Sequence, residues 1–498
     1  MARSAHRIGV VVAVGAVALS AAPSALAATD EACAARVNDT HALLEECVTL
    51  EGVRAHQAAL QAIASAHGGT RVSGTPGATA SVDHVVDTLR AAGYTPTVQE
   101  LTLDTFVTTR PTLLERVGPD PAALPTSVLG YSGSGDVTAP VSVLPGGPAD
   151  TTPGCEAADY AGLVPGTVAL VPRGSCTFAA KATLAAAAGA SAVVVSNSEP
   201  GALNATLGAD AGLDLPVVAV TQDLGRQLAA TPGLVLHVRT ATLSGPVTTA
   251  NVIAETRGGD PDNVVMAGAH LDSVNAGPGI NDNGSGAAAL LEVAVQMARV
   301  EPDNRVRFAW WGAEEAGLAG SAHYVRGLTQ AERDRIALYL DADVIGSPNH
   351  VFFVHDGDDS DATGAGPGPE GSARVEKTLE AFYSLRGIPW KGTDLTGRSD
   401  QGAFMAVGIP TGGLTTGDDG IKTVEEAARW GGTAGIPYDP CHEQACDDVD
   451  NSNDEALDVN ADALAFGVLQ FAMNTQDVNG VPGRADFPPV SPLVPAAP

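Results

Sequence analysis

Apolar residues fall into two rhythms along this chain. Residues 50–66 and 80–93 carry them at helical spacing: Leu60 and Ile63 mark the inner face of the first segment, and Val82, Val85, Val86 and Leu89 that of the second. Gly74-Thr75-Pro76-Gly77 reads as a break between them. Residues 98–103 alternate like a strand. From about 126 to 243 the chain is rich in Gly, Pro, Val and Thr, with short strands at 168–171, 192–196 and 216–220 and one helix over 180–190. From about 250 strands and helices take turns. Apolar runs end at Ala269, Trp311 (306–311), Leu340 (336–340), Val354 (351–354) and Leu414 (407–414), and helices are expected over 285–299, 315–327, 371–385 and 455–473. This alternation predicts an α/β fold: a mainly parallel, twisted sheet with helices on both faces, plus a small β-rich domain.

The chain has 498 residues, enough for two cores. The expected division is a leader over 1–27, an N-terminal part of the main domain over 28–125, the β-rich insertion over 126–243, the main domain over 244–475, and a Pro-rich, disordered tail over 476–498. The leader reading rests on Arg3 and Arg7, a short apolar run and a small-residue end at Ala27; it predicts a secreted, extracellular protein. No other apolar run has the length to cross a bilayer. Six cysteines in a secreted chain predict three disulfides, and local spacing favours Cys33–Cys47, Cys155–Cys176 and Cys441–Cys446. The formal net charge of −31 argues against nucleic acid or an anionic membrane as partner.

The chemistry concentrates where the strands of the second half end. His270 and Asp272 follow the first strand, and Asp282 lies on the glycine-rich loop behind them. Glu314 and Glu315 follow the Trp311 strand, Asp341 and Asp343 end the next, and Ser399 and Asp400 precede 407–414. Open α/β sheets gather ligands outside the carboxyl ends of their strands. A strand-end histidine, an Asn-Gly turn or a Glu-Glu pair each has an ordinary structural reading; their joint appearance after successive strands points to a divalent metal site, zinc by ligand type. A two-metal centre needs a bridging acid, for which Asp282 is the candidate, and Asp272 is placed to orient the His270 ring. Asp447, Asp448, Asp450 and Asp454 form a second acidic group with ligand chemistry that suits calcium.

The segments AGAHLDSV, GINDNGSG, WWGAEEAGLAGS, DADVIGSPN and GRSDQGAF, in this order, resemble the M28 family of zinc aminopeptidases, of the Streptomyces-type secreted group. Residues 126–243, with VALVPRGSCTF and AGASAVVV, resemble an inserted protease-associated (PA) domain. The resemblance implies two zinc ions: His270 and Asp343 on one, Asp282 bridging, Glu315 on the other, and Glu314 as the general base that activates water against the N-terminal peptide bond of peptide or protein substrates. The chain departs from the family at Ser399-Asp400-Gln401, where SDQGAF replaces the usual SDHxxF, and above all in one loop. The usual Cys-Tyr-His-Gln-x-Cys reads Cys441-His442-Glu443-Gln444-Ala445-Cys446 here. By alignment Glu443 takes the place of the last zinc ligand and His442 that of a tyrosine that stabilises the tetrahedral intermediate; a shifted loop would make His442 the ligand instead. Two alternatives stay open: a carboxypeptidase or other metallohydrolase on the same scaffold, which needs a cationic pocket such as Lys391 or Arg398 would supply, and a metal-poor pseudoenzyme acting as a binding module.

Overall fold

The computed structural model describes residues 32–490 apart from 34, 145–151, 200, 202, 204, 363 and 365; the expected leader over 1–27 lies outside them. Eight strands form the main sheet, in the order Lys391–Asp394, Phe353–Asp356, Thr411–Thr415, Ile336–Ala342, Asp260–His270, Asn304–Trp311, Val235–Glu255 and Thr97–Gly118. Its four central strands, from Thr411–Thr415 to Asn304–Trp311, are mutually parallel. The strand Asp260–His270 is apolar throughout its second half because both faces are covered. Val265, Ala267 and Ala269 pack under the helices Leu50–Ala66, Pro76–Ala92, Gly284–Met297, Ser372–Arg386 and Asp454–Met473. Val264 and Met266 face the opposite layer, with Tyr324 and Phe404 from the helices Ala319–Gly327 and Gln401–Met405.

Several boundaries differ from the periodicity reading, each for a local reason. The second helix starts at Pro76, not at 80: Thr75 caps it by accepting the Ala78 N–H, and Pro76 occupies a first-turn position where no N–H is needed. The expected helix over 315–327 begins only at Ala319, because Gly317 (φ 88°) and Leu318 (φ 57°) turn the chain left-handed after the glutamates. The strand expected at 351–354 runs from Phe353 to Asp356, so His355 belongs to it. The strand expected at 407–414 is Thr411–Thr415, preceded by the short helix Gln401–Met405.

The strands Thr97–Gly118 and Val235–Glu255 are 22 and 21 residues long and pair antiparallel along nearly their whole length. They leave the main sheet and carry the second domain. There Val168–Pro172, Ala192–Ser196 and Val217–Val220 run parallel, Gly135–Val143 joins them to the ribbon, and helix Phe178–Ala187 covers one face. All three disulfides form as the spacing favoured. Asp454–Met473 is, among the described residues, the one helix long and apolar enough to cross a membrane, but 83% of its apolar window is buried in the core.

The expectation of a disordered tail is corrected for residues 476–490; residues 491–498 lie outside the described ones. Phe487 is 5% exposed, packs beside the His41 ring, and its carbonyl accepts the Asn474 amide at 2.8 Å. Proline content alone did not register that apolar anchor. Phe487→Ala is expected to lower stability by about 3 kcal/mol, the usual cost of emptying a buried phenylalanine site, read as a reduced thermal midpoint of the purified protein.

Candidate metal centre

His270 ends its strand fully buried, and four acids converge on it. Its Nε2 lies 3.1 Å from Asp282 Oδ1, 3.4 Å from Asp343 Oδ1 and 3.9 Å from Glu314 Oε2, while Nδ1 lies 3.6 Å from Asp272 Oδ1. Two sets of three side chains that include His270 bring ligand atoms within 4.8 Å of one another: His270 with Asp282 and Asp343, and His270 with Glu314 and Glu315. The sequence-predicted residues from three separate loops therefore meet around one imidazole.

Local chemistry explains how each arrives. Asn283 accepts the Gly286 N–H at 2.9 Å as N-cap of the helix that follows, and its amide donates to the Ala342 carbonyl at 2.9 Å. Asn281 donates to Asp439 Oδ2 at 2.7 Å. The two asparagines thus fix the loop on either side and leave Asp282 to face the cleft. Asp272 Oδ1 accepts the Glu314 N–H at 3.1 Å, so the residue expected to orient His270 also holds the glutamate turn. Gly268, two residues before His270, makes room on the same face: a Cβ there would come within 2.3 Å of Tyr339 Oη. That hydroxyl accepts from Trp311 Nε1 at 2.9 Å and donates to Asp341 Oδ1 at 2.9 Å, so Asp341 is engaged below the cluster.

The altered cysteine loop brings its histidine, not its glutamate, onto Asp282. His442 Nε2 lies 3.1 Å from Asp282 Oδ2, while Asp282 Oδ1 faces His270. Asp282 therefore offers one oxygen to each imidazole. Glu443 has a left-handed backbone (φ 52°) and lines the cleft; among the described residues its carboxylate has no hydrogen-bond or ion-pair partner.

Charge dominates the site. Burial pushes the Glu314 carboxyl up to about 10; His270 only partly offsets this, and Asp400, Asp343 and Asp272 add to it. Burial, then Asp282, holds Glu315 well above the ordinary range. Burial alone would lower His442, but Asp282 outweighs it and raises the imidazole to about 9. Polar atoms also lack partners here: Glu315 Oε1, Asp343 Oδ1 and Asp272 Oδ2 are buried without hydrogen bonds. Crowded carboxylates with orphaned oxygens around an imidazole fit divalent cations, which satisfy the oxygens and cancel the repulsion.

Two supports were not legible as such. The sequence groups Asp447 with possible calcium ligands; in the structure it accepts the Asn281 N–H (2.8 Å), the Asp282 N–H (3.0 Å) and the Asn451 amide (2.9 Å). Asp448 caps a short 3-10 turn by accepting the Asp450 N–H, Asp450 is exposed, and Asp454 pairs with Arg54. Arg71, wholly buried, donates from Nε to the Pro278 carbonyl at 2.8 Å and from its two other nitrogens to the Leu271 and Gly279 carbonyls, gathering the loop between His270 and Asp282. Its sequence signal, a single arginine after Gly-Gly-Thr, is too slight to single out. Asp447→Ala is expected to destabilise the protein by about 3 kcal/mol, since two buried N–H groups lose their acceptor, and to lower its metal content; thermal melting and metal analysis check both.

A cleft of about 940 Å³ opens over the cluster. Of the cations proposed for a carboxylate pocket, Lys391 pairs with Glu426 at 2.8 Å, and Arg398 lines the cleft with no ion-pair partner among the described residues.

Comparison with known proteins fits this picture. Residues 251–468 match the model of peptidase family M28, and residues 137–228 that of the PA domain. An aminopeptidase of Pseudomonas aeruginosa is 44% identical over 448 residues, covering 88% of this chain and 83% of the relative. The probable lipoprotein aminopeptidase LpqL of Mycobacterium tuberculosis is 43% identical over 449 residues, covering 89% of each. Among solved structures, the aminopeptidase of Aneurinibacillus sp. strain AM-1 superposes with a TM-score of 0.55 at 26% identity, covering 91% of this chain and 99% of that one. With relatives matched over most of both chains and a PA domain set inside its length, this protein belongs to peptidase family M28.

Proposed function

We propose that this chain is a secreted aminopeptidase that releases N-terminal residues from peptides with the help of two zinc ions. The observation that carries the reading is Asp282, which presents one oxygen toward His270 and the other toward His442. A carboxylate between two imidazoles, with further acids beside it, suits a bridge between two cations. His270 and Asp343 would hold one ion; Glu315 and His442 would hold the other. His442 is preferred to Glu443 because it is the side chain that reaches the bridging acid.

When bound, zinc lowers the pKa of water toward ~7 and stabilises the developing oxyanion. The residues supply the rest. Asp272 fixes the His270 ring from behind and, through the Glu314 N–H, the position of the base. Glu314 takes a proton from the attacking water and passes it to the nitrogen of the breaking C–N bond, so that the amine leaves neutral. The acids of the cleft attract a substrate ammonium. This favours exopeptidase action at the amino end over a carboxypeptidase, whose required cations here reduce to Arg398, because Lys391 is engaged by Glu426. Three disulfides support export to an oxidising compartment. Residues 28–125 and 244–475 are read as the peptidase domain and 126–243 as the PA insertion.

Glu314→Gln is expected to keep the metal content of the parent and lose 10²-fold or more in turnover of Leu-p-nitroanilide, the usual scale of a lost general base; full turnover would remove Glu314 from that role. Chelation should abolish activity and added zinc restore it, with an N-blocked, C-terminally free peptide left intact throughout. His442→Ala is expected to lose about one zinc per chain, and Glu443→Ala none, by elemental analysis of the purified proteins.

A further inference from the structure

The cleft extends beyond the metal cluster, across the sheet toward its edge strand. Gly413 opens the way: a Cβ there would come within 2.5 Å of the Asp341 carbonyl and 3.0 Å of His355 Nδ1. His355 forms part of the floor. It is 7% exposed, and its Nδ1 has no hydrogen-bond partner. At the far end Asp361 lies against Gly392, where a Cβ would meet its Oδ2 at 2.2 Å. Asp394, two residues on, points to the same side of that strand. Among the described residues neither carboxylate has a hydrogen-bond or ion-pair partner, and both line the cleft.

We propose that this side arm accepts a basic N-terminal side chain, lysine or arginine, with Asp361 and Asp394 receiving its cation. The proposal rests on the aminopeptidase reading and names its substrate class. Two features carry it. Two divalent ions would balance the cluster's own acids, and Asp361, Asp394, Asp418 and Glu443 remain in the lining against Arg398 as the one unpaired Lys or Arg among the described residues there, so the loaded cleft would stay negative. The Phe353 ring, set edge-on to Tyr438 at 5.4 Å, supplies an apolar wall for the methylenes of a long side chain.

The experiment compares kcat/KM of the zinc-loaded full chain on p-nitroanilides of lysine, norleucine, leucine and glutamate. The parent should prefer lysine to norleucine, which has a similar aliphatic chain without the ammonium, and should reject glutamate. In Asp361→Asn/Asp394→Asn the lysine value should fall about fivefold, with leucine and norleucine within about twofold, as expected when one exposed and one half-buried charge pair are removed. Added salt should erode the lysine preference of the parent alone. Loss of lysine and norleucine turnover in equal measure, or a parent that cleaves the glutamate substrate as readily as lysine, overturns the assignment while leucine turnover leaves the aminopeptidase reading standing. A parent that cleaves none of the four overturns both.

Discussion

Carboxylates that would repel one another are held together around His270, and the architecture around them serves to keep them there. Asp282, Asp343, Glu314 and Glu315 come from three different loops, each with its backbone tied by buried groups that face away from the cleft: Asp447 behind Asp282, Asp272 behind Glu314, and the Leu414 carbonyl behind Asp343. Without cations the arrangement is costly, which is why burial and mutual repulsion raise Glu314 and Glu315 together. With divalent ions present the same crowding becomes affinity. Preorganisation of this kind is paid in folding stability, and the deep helical layer under the sheet supplies it.

Much of this was legible from residues alone. A run such as VVMAGA that ends in histidine is conspicuous, because a strand covered on both faces leaves a polar side chain nowhere to go except its end. The α/β alternation was equally plain. Less visible were features that depend on backbone turns. By periodicity the glutamate pair opens a helix, but the left-handed residues Gly317 and Leu318 hold it on a turn. The start of the second helix was hidden because Pro76 reads as a breaker unless its first-turn position is known. Phe487 shows the opposite failure: a proline-rich composition masked one aromatic residue that anchors the segment.

At the site, the residue types were readable and their partners were not. His442 and Glu443 are adjacent, and which one faces Asp282 depends on the backbone of Glu443, which turns left-handed within a loop closed by Cys441–Cys446. Spacing cannot report that. Arg71 and Asp447 lie roughly 200 and 165 positions from the loop they hold, so no local pattern links them to it.

The paired strands Thr97–Gly118 and Val235–Glu255 give the PA domain a mechanical relation to the catalytic half. The ribbon changes register between Thr108 and Leu113, and just before that irregularity the Thr108 N–H donates to the Asn275 side chain, three residues past Asp272. The ribbon that carries the outer domain is thus hydrogen-bonded to the loop that follows His270, and without that domain the distal half of both strands would lose the strands that pair with it.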